Sequence, residues 1–122
     1  MSFADFLVSW NRRHLLRRQL SEFMAEFPIL LLPNSGEPPF PLGTDLESVD
    51  RVRELTAHQW VNTAIPLLAL PGLGIGATTR GGAPLGVQLV GRAFDEEALF
   101  QAGEVIEQRS GITTPIDPAH HD

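Results

Sequence analysis

The chain has 122 residues, a length typical of one domain, and its 9 basic residues face 15 acidic ones, giving a net charge of −6. Every basic residue is arginine, and lysine, cysteine and tyrosine are absent, which excludes disulfides, thiolate chemistry and a lysine base. The acidic balance argues against a nucleic-acid partner. No apolar run reaches the roughly 20 residues of a membrane span, and no signal peptide is recognisable, so we expect a cytoplasmic protein without a membrane partner.

The first third of the chain predicts a long helix followed by a buried strand. Apolar residues at helical spacing predict an amphipathic helix over 3–27, which Pro28 ends. The short apolar run 29–32 lies between prolines and is typical of a strand buried on both faces. The prolines and glycines of 33–43 then predict an irregular loop.

A second helix is predicted from Asp45 to about Thr63. Thr44 followed three residues later by Glu47 forms a capping-box signature at its start. Asn62 falls at the predicted end of this helix, where it can cap the helix or line a pocket. It is therefore one of two candidates for contact with a substrate.

The segment after this helix predicts short strands and a hairpin. Residues 67–70 and 75–78 are strand-like, and 85–90 is a strand. The paired glycines within 80–83 predict the turn that joins an antiparallel hairpin. Gln88 lies in the last strand and is the second candidate for contact with a substrate; it could hydrogen-bond a substrate or the backbone, and the structural role is favoured.

A third helix completes the predicted elements. Asp95 is its predicted N-cap, with carboxylates in the first turn where the helix dipole favours them, and Gly111 is its stop. We therefore predict an α/β or α+β fold, with three helices and a small mixed sheet, as a single domain over 1–111. Residues 112–122 are expected to form a flexible tail.

Three helices do not readily cover both faces of such apolar strands, and this packing problem points to a larger sheet. From Phe27 to Gly111 the chain resembles the C-terminal part of amidase-signature enzymes. The segment from Pro84 to Gly91 is the most specific match. The resemblance is carried by four runs: Phe27–Pro33, Trp60–Asn62, Ile65–Gly72 and Ala83–Gly91.

The resemblance implies a hydrolase of amides whose catalytic parts lie outside this chain. Family members use a serine nucleophile, a bridging serine, a neutral lysine base and a Gly/Ser-rich oxyanion loop. No lysine is present, and no serine stands in a Gly-Ser-Ser-Gly context. We therefore expect no catalytic residue, cofactor or metal here, no activity alone, and a complementary N-terminal amidase portion as partner.

Two other functions remain open. In the first, the chain is a stand-alone interaction module without catalysis, which buries its exposed strands and the apolar faces of its first helix in a homo-oligomer. In the second, it is an independent hydrolase whose base is His14 or His58. A triad of Ser35, His58 and either Asp45 or Asp50 can be written from the sequence, although no nucleophile elbow supports it.

Three further patterns have a functional and a structural interpretation. His120, His121 and Asp122 could bind a metal, but they end the chain. Gly72, Gly74 and Gly76 resemble a phosphate loop, yet no helix follows them, which favours glycines in a strand. The arginines of 12–18 could meet an acidic partner, but residues 1–27 carry a net charge of only +1, which favours a solvated helix face.

Overall fold

The computed structural model describes residues 1–80 and 83–111. Within these residues, no helix is both long enough and apolar enough to cross a membrane. The chain contains both helices and strands, which confirms the predicted α/β or α+β class. The elements are α1 (Phe3–Glu26), β1 (Ile29–Pro33), a 3₁₀ turn (Thr44–Leu46), α2 (Val49–His58), α3 (Trp60–Leu67), β2 (Gly72–Arg80), β3 (Ala83–Gly91) and α4 (Glu96–Ser110).

Helix α1 has the predicted extent, and its caps explain both ends. The Ser2 hydroxyl accepts the backbone N–H of Asp5 at 3.2 Å, and the Asp5 carboxylate accepts the N–H of Ser2 at 2.8 Å. This capping box satisfies two amides of the first turn. At the other end the N–H of Phe27 bonds the carbonyl of Phe23, and Pro28 prevents continuation.

The three strands form one sheet in the order β1–β3–β2. Both pairings are antiparallel: Ile29 of β1 lies opposite Gly91 of β3, and Arg80 lies opposite Ala83 in the hairpin. The sheet is therefore antiparallel throughout, whereas a mixed sheet was predicted. The hairpin itself is confirmed, although its glycine turn at 81–82 lies outside the described residues. Strand β3 is central, and β1 and β2 are the two edges.

Strand β3 is covered by a helix on each face, because alternate side chains point to opposite sides of a sheet. On one face Leu89 packs with Ile75 and with Leu99 of α4. On the other, Val90 packs with Val61 and Ile65 of α3. The apolar interior therefore consists of two small clusters on either side of the hairpin.

The predicted second helix is divided into two, which raises the number of α-helices from three to four. Ser48 caps α2 and accepts the N–H of Arg51 at 3.1 Å, whereas the Thr44 hydroxyl donates to the Pro41 carbonyl, so the predicted capping box is wrong. The helix breaks at Gln59. In a continuous helix Leu55 would point roughly 100° away from Val61 and Ile65. The break allows all three to be buried.

The predicted strand at 67–70 is also wrong. Leu67 is the last residue of α3, Leu68 and Ala69 form a turn, and Ala69 has a positive φ of 53°. A short apolar run is compatible with a strand or with the end of a buried helix, and periodicity does not separate the two. The last helix follows the prediction, with Asp95 at its N-cap and Gly111 at its C-cap in the left-handed region.

Candidate functional site

On the face of the sheet against which α3 packs, glycines leave part of the surface without side chains; we call this the bare face. Gly72, Gly74 and Gly76 alternate along β2 and therefore share a face. The side chain of Gln88 lies over Gly72, since a Cβ atom there would be 2.8 Å from Gln88 Nε2. The phosphate-loop interpretation of these glycines is thus wrong, because they belong to a strand that other groups approach closely.

Asn34 lies on the same bare face, immediately after β1. A Cβ atom at Gly86 would be 2.4 Å from Asn34 Nδ2 and 2.9 Å from the carbonyl oxygen of Ile75. Glycine at position 86 is therefore required for the Asn34 side chain to rest on β3. Asn34 and Gln88 thus bring two amide side chains to this face of the sheet.

A cleft of about 260 Å³ opens beside Asn34, between the proline-rich loop and the hairpin. Gly86 and Leu85 form its floor, and Gln59 closes it from the break between α2 and α3. The loop supplies the remaining wall. Its lining residues there are Ser35, Glu37, Pro38, Pro39 and Phe40.

Glu37 links this wall to α2. Its Oε2 lies 3.0 Å from His58 Nδ1 and 4.0 Å from Arg51 Nη2, while the N–H of Gly36 donates to the His58 carbonyl at 2.8 Å. A hydrogen bond to Glu54, together with the charge of Glu37, raises the pKa of the Arg51 guanidinium. Arg51 thus remains a cation beside the loop, and the pair of contacts fixes the wall of the cleft.

Two buried acceptor oxygens near this face have no hydrogen-bond donor among the described residues. They are Glu37 Oε1 and Gln88 Oε1. A buried acceptor without a donor carries a desolvation cost, so such atoms are expected where a water or another molecule completes the bonding. The cleft thus combines apolar lining residues with a small number of hydrogen-bonding groups, an arrangement typical of ligand sites.

The residues proposed from the sequence are not brought together. Asn62 is exposed within α3 and does not line the cleft, whereas Gln88 lies at the neighbouring glycine face. His14 is exposed and contacts the Trp10 ring edge-on at 5.1 Å. Neither histidine has a nucleophile hydrogen-bonded to it in the described part of the chain.

The Ser35–His58–Asp triad is not formed. The carboxylate beside His58 is that of Glu37, and Asp50 pairs instead with Arg53 at 2.8 Å. The Ser35 hydroxyl accepts the N–H of Glu37 at 3.2 Å. Within residues 1–80 and 83–111 no cluster of metal-binding side chains occurs, and the candidate metal ligands His120, His121 and Asp122 lie outside the described residues.

Sequence reasoning missed Asn34 and Glu37. A signal for Glu37 was present, because it is the one charged residue between Glu26 and Asp45 and stands in an apolar, proline-rich loop. No such signal marks Asn34. Its position depends on the pairing of β1 with β3, which brings it over Gly86 from a distant part of the sequence.

The fold and the cleft together define a small α/β scaffold with a cleft between the proline-rich loop and the hairpin. The profile of the family described as Amidase matches residues 4–100. The chain therefore belongs to the amidase family, as its sequence features indicated.

Several similar proteins are A subunits of glutamyl-tRNA(Gln) amidotransferases. The subunit from Rhodopseudomonas palustris (strain BisB5) is 36% identical over 114 residues, and that from Bradyrhizobium sp. (strain ORS 278) is 36% identical over 115. The Brucella ovis subunit is 33% identical over 114 residues. These matches cover 92–93% of this chain but 23% of each relative, so the chain spans about a quarter of the length of these relatives.

Proposed function

We propose that residues 1–111 form one unit that supplies scaffold and one wall of the substrate pocket to an amidase-family enzyme, and that this chain is catalytically silent alone. The observation that carries the proposal is the absence of lysine from this member of the amidase family, since the resemblance implies a lysine base. The cleft supports it, because its polar lining consists of amides, a hydroxyl and a carboxylate held by His58. These groups bind and orient a ligand.

The sheet also supports a role as part of a larger fold. Among the described residues, β1 and β2 pair only with β3, so both leave an edge of backbone donors and acceptors available. Leu31 on the β1 edge is 62% exposed. Edges of this kind favour pairing with further strands. A complementary amidase portion would extend the sheet and bring the missing lysine, serines and oxyanion loop.

The substrate class follows from the relatives. They are subunits of glutamyl-tRNA(Gln) amidotransferases, and we therefore expect the complete enzyme to act on an amide. We do not assign RNA contact to this chain, because beyond residue 27 it has 5 arginines against 12 acidic residues.

The test measures ammonia release from primary amides, glutamine included. The purified chain is expected at background and unlabelled by a serine-directed fluorophosphonate, whereas the intact Rhodopseudomonas relative serves as the active control. Co-expression with that relative lacking the matched region is expected to restore hydrolysis. Stoichiometric labelling of any serine of the isolated chain would overturn the proposal.

A stand-alone interaction module is the second candidate, because much of the apolar surface of α1 is exposed. Phe3 and Val8 are 75% and 68% exposed. A homo-oligomer would cover such residues. Analytical ultracentrifugation at micromolar concentration decides between the candidates: a stable, specific oligomer favours the module, and a monomer counts against it.

A further inference from the structure

An apolar groove runs along α1 where this helix passes the end of α3. Its volume is about 640 Å³, and we call it the α1 groove. Phe6, Trp10 and Leu16 contribute one side, and Leu67 contributes the other. All four side chains are between 43% and 61% exposed, so a partner that covered the groove would bury further apolar surface.

The groove is held in place by a polar contact. Arg13 Nε donates to the carbonyl of Leu67, and the Arg13 guanidinium stacks 5.2 Å above the Trp10 ring. Farther along the helix, Met24 is fully buried. The Arg13 bond thus links the two sides of the groove, while Met24 anchors the helix farther along.

Cations without a carboxylate partner border the groove. Within residues 1–80 and 83–111, no carboxylate lies within 4 Å of Arg12 or Arg13, whereas Arg18 on another side of α1 is 3.6 Å from Glu22. An apolar centre with a cationic rim is complementary to an apolar segment that carries Asp or Glu at its border.

Resting on the function proposed above, we propose that the α1 groove is the docking site for the complementary amidase portion, through an apolar segment flanked by carboxylates. More than three quarters of the length of the relatives lies outside the match, which is ample chain to supply such a segment. A second copy of this chain fits less well. Groove-to-groove contact about a two-fold axis would place Arg12 and Arg13 against the same arginines.

The experiment co-expresses this chain with the tagged Rhodopseudomonas relative lacking the matched region, and quantifies the recovered complex. Leu16→Asp in the groove is compared with Val8→Asp, which is equally helical but outside the groove. Arg12→Glu is compared with Arg18→Glu. We expect each groove variant to weaken binding about tenfold or more, since 1.4 kcal/mol corresponds to tenfold, and each control to bind within about twofold of the parent. Binding by the parent chain should weaken as salt rises.

Circular dichroism of each variant distinguishes a loss of helical structure from a loss of binding. A photo-crosslinking residue at position 16 or position 8 gives a second readout that does not introduce a destabilising charge. Crosslinks to the partner from position 16 alone support the inference. Binding that resists both groove variants overturns this inference and leaves the proposed function intact. Absence of any complex with the parent chain overturns both, and position-16 crosslinks between two copies of the chain overturn the choice of occupant.

Discussion

At the N-terminus of α1, Ser2 and Asp5 determine how the first turn responds to acid. The Ser2 backbone N–H, and then its hydroxyl, lower the pKa of the Asp5 carboxyl below its ordinary value of 3.8. Because the pKa is lower in the folded chain, the stabilisation of α1 is complete above that ordinary value and is lost as pH falls through the folded pKa. We expect the carboxyl ¹³C shift of Asp5 to titrate below 3.8.

In Ser2→Ala the same titration should move only part of the way back, because the backbone N–H is the larger cause and is retained. The amides of Asp5 and Phe6, which donate to Ser2, should lose protection over the same pH range as Asp5 titrates. An Asp5 pKa at its ordinary value in the parent chain would contradict the capping box.

Two glycines on the bare face of the hairpin give a matched pair. Gly86→Ala places its methyl group against Asn34 and the backbone of Ile75, and overpacking of this kind costs about 1–3 kcal/mol. Gly74→Ala has its nearest atom at 3.9 Å, so we expect it to be neutral or stabilising by about 0.5–1 kcal/mol. Urea unfolding of both variants measures the difference. Equal midpoints would show that Asn34 does not rest on β3.

These residues also mark what the sequence alone could predict. Gln88 could be selected because it lies in the run that best resembles the amidase family, and Glu37 had a signal as the one charged residue of its loop. Asn34 could not be found, because its contact with Gly86 depends on strand pairing between distant segments. Asn62 had the right residue type, but the helix break at Gln59 leaves it exposed.

Helix α4 is attached to the sheet by close packing of its side chains against β2 and β3. A Cβ atom at Gly103 would lie 2.8 Å from Leu73, so the helix approaches β2 closely there. Leu99 is 2% exposed and anchors the helix, whereas the adjacent Phe100 is 64% exposed. Leu99→Ala should cost about 2–5 kcal/mol and Phe100→Ala about 0.5 kcal/mol or less, measured by urea unfolding. Similar costs for both would contradict the position of the helix.

Element boundaries followed the sequence where local chemistry determines them. Pro28 and Gly111 end their helices as predicted, and Asp95 begins one. No glycine or proline marks the break within the predicted second helix. The break lets Leu55 and Val61 both be buried, and Val61 packs against Val90 of the sheet, a contact between distant parts of the sequence.

Across the whole molecule, buried apolar contacts and the free edges of the sheet are distributed unevenly. The hairpin is enclosed between α3 and α4, while α1 contacts the rest mainly near Met24 and the Arg13–Leu67 bond. Local stability follows buried contacts, so opening free energies should differ sharply between these parts. The packing problem inferred from the sequence therefore has a definite location, the surface of α1 and the two sheet edges.

Amide hydrogen exchange of the isolated chain and of its complex with the complementary portion tests this distribution. In the isolated chain we expect amides of β3 to exchange slowly and those in the first half of α1 to exchange at least about tenfold faster, because few buried contacts hold that half. In the complex the α1 amides should slow, since binding to the folded state stabilises it by mass action. Amides of α4 serve as the internal control and should change little. If the first half of α1 is as protected as β3 before any partner is added, this helix is stable by itself, and its exposed apolar side chains require no partner to explain them.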